Sequence, residues 1–308
     1  MAPAPSSPAD ELLTVRDLLR YAVSRFGAAK LTYGHGTANA LDEAAFLILE
    51  SLSLPIDDLG PWLEARLTLA ERQALVALFE ARVTTRKPAP YLVGKAYIQG
   101  IGFRVDERVI VPRSYLGEIL ASGALGPDGL GLIADPMAVE TALDLCTGSG
   151  CLAILAAMAF PAAAVDAVEL SADALEVAKL NVADHEAEDH IRLVQGDLFA
   201  PLGNRRYDLI ITNPPYVAAA EVAEFPPEYA REPIMAHLGG ADGLDIVRRI
   251  LREAGGHLTA DGGLLCEIGT GHEILEAEFP HLPFFWLDTA ASESEVFWLS
   301  AEALAQRG

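Results

Sequence analysis

The chain has 308 residues, of which 51% are hydrophobic and 21% charged, with 22 basic against 44 acidic side chains and a formal net charge of −22. That balance excludes a disordered or fibrous chain, and the length suits two domains or one large domain with an appendage. Three cysteines without paired spacing exclude a disulfide scaffold and a cysteine-based zinc site, and fit a reducing cytoplasm. Residues 1–10 are rich in Pro, Ser and Ala with no basic run before an apolar stretch, which reads as a disordered tail and not a signal peptide. Residues 11–88 read as a helical domain. Val15, Leu18, Leu19, Ala22, Val23 and Phe26 recur at helical spacing behind Thr14, a candidate N-cap. A second helix over Leu41 to Leu52 stops before Pro55, and a third starts at Thr68 with Glu71 at capping-box spacing. Pro90 to Pro112 alternates apolar and polar side chains around Gly100 and Gly102, which predicts a β-hairpin connector over residues 89–115.

Residues 116–308 pass through a Gly/Pro-rich loop at 122–135 and then alternate strand and helix. Strands are expected at Thr141–Leu145, Val165–Leu170, Ile191–Gln195, Tyr207–Thr212, Leu264–Ile268, Phe284–Leu287 and Val296–Leu299, with helices at 151–159, 172–185 and 243–254. Only Asp288–Glu295 joins the last two strands, too short for a parallel crossover, so that pair should be antiparallel. The expected fold class is α/β: a Rossmann-like, mostly parallel sheet of seven strands with its last pair antiparallel. The longest apolar run, Cys151 to Val165, is short for a bilayer and contains Pro161, so it reads as a buried helix plus a strand. No membrane partner is expected. Charge is uneven: residues 1–112 hold 12 basic and 13 acidic side chains, whereas residues 113–308 hold 10 and 31, a net of −21. So acidic a half repels phosphate backbones, which argues against a direct nucleic-acid grip, and it would draw a basic protein partner.

Four strand ends carry the chemistry. The first runs from Asp144 through Cys146, Thr147, Gly148, Ser149 and Gly150 into the next helix, a turn that lets backbone approach a nucleotide-like ligand. The G-x-G spacing matches neither a dinucleotide fingerprint nor a Walker loop. Glu169, after the second strand, can accept both hydroxyls of a ribose. Asp197 and Leu198, after the third, suit the edge and face of an adenine ring. The fourth strand ends in Asn213-Pro214-Pro215-Tyr216, the most specific signal in the chain. The two prolines fix the backbone, so the Asn213 side chain and the Pro214 carbonyl stand as paired acceptors beside the Tyr216 ring. That arrangement can hold both N–H bonds of a planar NH2 group and pack its face, aiming a weakly nucleophilic nitrogen. Asn213, Pro214 and Tyr216 are the candidate catalytic residues, and Pro215 joins them as a candidate substrate contact.

Together these motifs resemble the class I methyltransferases that use S-adenosylmethionine, and among them the protein N5-glutamine methyltransferases. The resemblance implies methyl transfer to a glutamine side-chain amide held by Asn213 and Pro214. It also implies donor contacts from Cys146 through Gly150, Glu169, Leu198 and Asn213. Tyr33-Gly34-His35-Gly36-Thr37, Val105 to Val109, Val111-Pro112-Arg113-Ser114 and the runs Glu228 to Pro233 and Gly239 to Leu244 are similar to the branch acting on large-subunit ribosomal protein three. A second branch acts on peptide release factors, and amino methyltransferases of adenine share a similar Asn-Pro-Pro-Tyr motif. Tyr115 stands where that branch is expected to have proline, and Ala-Ser-Glu-Ser-Glu joins the final strands in place of a glycine-rich turn. No metal ligand set is visible; Cys146, Cys151 and Cys266 read as buried side chains. His35, in a short Gly-rich loop, reads as structuring that loop, with a substrate contact as the alternative. Arg113 is left between a salt bridge and a role at the site, and Arg248, Arg249 and Arg252 read as a solvated helix face.

Overall fold

A computed structural model describes residues 7–305 and divides the chain into two compact units, residues 1–96 with 225–231, and residues 97–224 with 232–308. The first unit is helical: α1 (Pro8–Glu11), α2 (Val15–Ala29), α3 (Ala40–Ser51), α4 (Leu69–Thr85) and α5 (Ala89–Val93). Ser7 caps α1 through a capping box, so residues 7–10, expected to be disordered, include an ordered helix start; residues 1–6 lie outside the described residues. The Thr14 hydroxyl accepts from the Asp17 amide at 3.2 Å while the Asp17 carboxylate accepts back from Thr14 N at 3.0 Å, and Thr68 with Glu71 repeats the device at α4. Apolar faces then meet in one core around Leu18, Phe26, Leu47, Leu75 and Phe79, with Phe26 and Phe79 edge to face at 6.0 Å. The helical unit continues past the expected boundary at residue 88, because Ala89–Val93 forms a helix and not a strand. It also includes Phe225–Arg231, which the sequence placed in the second domain.

A hairpin of β1 (Lys95–Ile98) and β2 (Ile101–Arg104) turns at Gln99 and Gly100, both with positive φ. After α6 (Leu116–Ala121) the chain alternates through β3 (Thr141–Leu145), α7 (Cys151–Ala159), β4 (Ala164–Glu169), α8 (Ala172–Asp184), β5 (Ile191–Gln195) and β6 (Tyr207–Thr212). It continues through α9 (Ala219–Ala223), α10 (Asp245–Glu253), β7 (Leu258–Glu267), α11 (His272–Glu278), β8 (Phe285–Leu287), β9 (Val296–Ser300) and α12 (Ala301–Ala305). Strand order is β5-β4-β3-β6-β7-β9-β8; β3 to β7 run parallel and β9 is antiparallel to both neighbours. This is the expected seven-stranded sheet. Alternate residues feed opposite faces: Ala142, Leu209 and Ile211 enter one core layer, Leu143, Leu145 and Ile210 the other. β7 begins earlier than expected because Leu258 pairs with Tyr207 before a register shift, and regular pairing resumes at Gly263. Gly263 has no room for a side chain, since a Cβ there would lie 2.0 Å from the Trp298 ring. No helix among the described residues is long and apolar enough to cross a membrane.

Candidate active site

Strand order reverses between β3 and β6, so a crevice opens where their carboxyl ends diverge. β3 turns into α7 through Cys146–Gly150, with Cys146 at φ +60°, Gly148 at +56° and Gly150 at +80°. A side chain at Gly150 would be strained by its φ and would crowd the Ala178 Cβ at 3.3 Å. Neighbouring strands hold the turn: Thr147 N donates to Val168 O at 3.1 Å, and the Thr212 hydroxyl donates to Leu145 O at 2.9 Å. Leu198 is also left-handed, at φ +48°. Cys146 and Leu198 both line a cavity of about 320 Å³, and left-handed backbone at residues with side chains is a cost tolerated at functional sites.

Of the residues expected to hold a donor, Cys146, Gly148, Glu169, Asp197, Leu198 and Asn213 line this cavity. Glu169 is oriented before any ligand arrives: Oε2 accepts from Gly148 N and Oε1 from Ser171 N, both at 2.9 Å. Each oxygen keeps a lone pair for a ligand hydroxyl. Asp197 is paired with Arg249 at 2.9 Å. Asp144, Thr147, Ser149 and Gly150 stand behind the cavity wall and do not line it. Asp144 is fully buried, its carboxylate accepting from the Thr147 hydroxyl at 2.5 Å, and burial pushes its pKa up to about 7. It shapes the turn from beneath, because on β3 its side chain shares the face of Ala142, under α7. Burial also raises the Cys146 thiol, so this cysteine at the cavity wall is not a thiolate.

At the end of β6, Asn213 and Pro215 line the cavity, whereas Pro214 and Tyr216 do not. The chain beyond is pinned alongside: Val217 N donates to His237 O at 2.8 Å, and Gly239 N donates to Val217 O at 2.9 Å. Tyr216 is partly buried, and its hydroxyl donates to Glu267 Oε1 at 3.0 Å. Burial raises Glu267 to about 6, and burial with the nearby Glu267 charge raises the Tyr216 phenol.

Two further stretches line the cavity, Arg108–Ile110 from the connector and a strip from Pro233 to Leu238. One buried carboxylate ties them: Glu232 accepts from Val111 N at 2.8 Å and takes both Arg113 nitrogens at 2.7 Å, with His237 Nε2 at 3.0 Å. Arg113 is thus a bidentate ion-pair partner. The sequence includes Glu232 in the run that carries the branch resemblance but gives it no role, and leaves Glu267 unread, because single acids at strand or loop ends carry no local mark of what they bind. The partner 119 positions away from Glu232, and the one 153 positions away from Glu267, supply the meaning. The helix at 245–253 is not simply solvated: Arg248 pairs with Asp242, Asp245 and Glu278, and Arg249 with Asp197. In the first unit, His35 is buried 4.3 Å from the Tyr229 ring, in a loop closed by Gly34 N donating to Thr37 O.

A family model described as "Methyltransferase small domain" matches residues 131–225, the stretch from the loop before β3 to just beyond α9. The chain is 58% identical to the ribosomal protein uL3 glutamine methyltransferase of Bradyrhizobium diazoefficiens over 96% of its own length and 92% of that protein's. It is 53% identical to the protein of that name from Bordetella pertussis, covering 96% and 97%, and 53% to that from Burkholderia pseudomallei, covering 94% and 95%. Identity of this order over nearly whole chains, together with Gly148, Glu169, Asn213 and Pro215 around one cavity, shows that the chain belongs to the ribosomal protein uL3 glutamine methyltransferase family.

Proposed function

We propose that the protein transfers a methyl group from S-adenosylmethionine to the side-chain amide nitrogen (N5) of a glutamine in ribosomal protein uL3, in the cytoplasm. The observation that carries this reading is Asn213-Pro214-Pro215-Tyr216 at the edge of a cavity whose other walls suit a nucleoside. Glu169, already oriented by two backbone amides, would take the ribose hydroxyls; Asp197 and Leu198 would flank the base. When bound, S-adenosylmethionine supplies an electrophilic methyl carbon on a sulfonium.

The protein's own residues do the positioning. Asn213 Oδ1 and the Pro214 carbonyl accept the two amide N–H bonds, and the Tyr216 ring packs against the amide plane. Held so, the nitrogen can pyramidalise and turn its lone pair along the line of transfer. With the donor bound, the N–C bond would form as its C–S bond breaks and one amide proton would pass to solvent, while Asn213, Pro214 and Tyr216 keep the nitrogen aligned. A strong base is unnecessary because the neutral thioether is a good leaving group. The helical unit would select the protein substrate, and the acidic second half of the chain suits a basic ribosomal protein.

The test offers labelled S-adenosylmethionine with unmethylated large-subunit ribosomal proteins, release factors or DNA, followed by peptide mapping. Label on a uL3 glutamine is expected; label on release factor alone or DNA alone would overturn the assigned substrate. Asn213→Ala should lower kcat at least about 100-fold, as loss of an aligned contact does, and, because Asn213 also lines the donor cavity, weaken donor affinity by calorimetry to a much smaller extent.

A further inference from the structure

The end of β7 carries an arrangement that no motif announces. Glu267 is fully buried, and all of its acceptor capacity is directed at one neighbourhood. Oε1 accepts from the Tyr216 hydroxyl at 3.0 Å; Oε2 accepts from the Ser114 hydroxyl at 2.6 Å and from Tyr115 N at 2.9 Å. Two residues on, Gly269 has φ +61°, and a Cβ there would fall 2.9 Å from Cδ2 and Cε2 of Tyr216. Bare backbone therefore lies against the ring. The tyrosine is held at its tip by a carboxylate and along its ring by a glycine.

A buried phenol needs one acceptor, and a neutral serine, amide or water would serve it. A carboxylate is a costlier choice, since removing its charge from water is compensated only by several good donors. Its return is directional strength: hydrogen bonds to a charged acceptor are stronger and restrict geometry more. Ser114 and Tyr115 N brace the carboxylate from behind, so its position is set independently of Tyr216.

We infer that Glu267 is a positioning residue for methyl transfer, acting through the Tyr216 hydroxyl to fix the ring plane on which the substrate amide packs, with Gly269 as the floor beneath that ring. The inference rests on the reading of Asn213–Tyr216 as the acceptor motif. Because neither Glu267 nor Tyr216 lines the donor cavity, its signature is loss of kcat without loss of donor affinity. A ring free to tilt misaligns the nitrogen, and small misalignments cost about 10- to 100-fold in rate.

The experiment is a double-mutant cycle on the full chain, with Glu267→Gln, Tyr216→Phe and the pair, reading kcat with uL3 and donor Kd by calorimetry. Glu267→Gln is expected to lower kcat at least about tenfold with donor Kd within about threefold. In the Tyr216→Phe background the same change should add less than about twofold, because the link it breaks is already gone. Near-normal kcat in Glu267→Gln, or a full additional loss in the double variant, overturns the inference. Should Glu267→Gln fail to bind donor, Tyr216→Phe decides alone, since it keeps the ring and removes only the hydroxyl: a lowered kcat supports the inference and an unchanged one overturns it. Asn213→Ala measured alongside separates the two levels. Its loss of turnover beside an active Glu267→Gln rejects the inference only, whereas full turnover in Asn213→Ala rejects the acceptor motif itself.

Discussion

Asp144 carries a carboxyl sealed beneath the glycine turn, with pKa raised from 3.8 to about 7. The native state therefore holds a proton that the unfolded chain has released between those values, so this group's contribution to stability is present below pH 4 and is lost as pH rises through 7. Asp144→Asn removes the titration and keeps the shape. Its Tm relative to the natural chain should rise by several degrees from pH 4 to pH 7, measured by calorimetry; a pH-independent difference would refute the burial argument. Legibility at this scale follows locality. Cys146–Gly150, Glu169 and Asn213–Tyr216 announce themselves because turn and strand-end chemistry is written in consecutive residues. Asp144 stands at the head of the motif, yet strand periodicity points its side chain under α7 and away from the cavity. The roles of Glu232 and Glu267 are not legible in the sequence, because a buried acid is distinguished only by partners far along the chain.

At the scale of elements, strands β3, β5 and β6 coincide with the expected residues: β3 and β6 are buried almost throughout and rich in Leu, Ile and Ala, whereas β5, at the sheet edge, is marked by the short Ile191-Arg192-Leu193-Val194 run. The segment at 89–93 is an unbroken apolar run of five residues, too short to show either period, and it closes as one turn of helix with Pro90 in its first turn and left-handed Gly94 at its end. α4 shows what an element can conceal. Its Arg82 is fully buried and donates to Glu43 Oε1 at 2.7 Å and to Thr32 O at 3.0 Å, with Glu228 3.7 Å away. Burial raises Glu43 although Arg82 opposes the shift, so the pair stands only while both members are present. Arg82→Ala leaves two acids buried without their shared cation and should cost about 3–5 kcal/mol in a urea titration, as breaking buried pairs does. A loss below about 1 kcal/mol would show the cluster to be solvated.

For the whole molecule, charge is the dominant long-range property. The −21 carried by residues 113–308 should speed encounter with a basic acceptor and do so less at high salt. Raising salt from 50 to 500 mM is expected to lower kcat/KM for uL3 by about tenfold, and that for a short neutral glutamine peptide by less than about twofold. Equal responses would locate recognition in apolar contacts.

The assignment of Phe225–Arg231 to the helical unit also bears on how the chain folds as it is made. Glu228 is fully buried and accepts from Thr32 N at 3.2 Å and from Arg86, 142 positions earlier, at 3.0 Å. The five helices at the N-terminus leave the ribosome first, but one of their counter-charges is not yet synthesised. Four strands of the sheet must emerge before that acid does, so the order of synthesis is not the order of completion. The final closure of the N-terminal unit is a long-range event, and the helices wait for it with the Arg82 guanidinium only partly compensated.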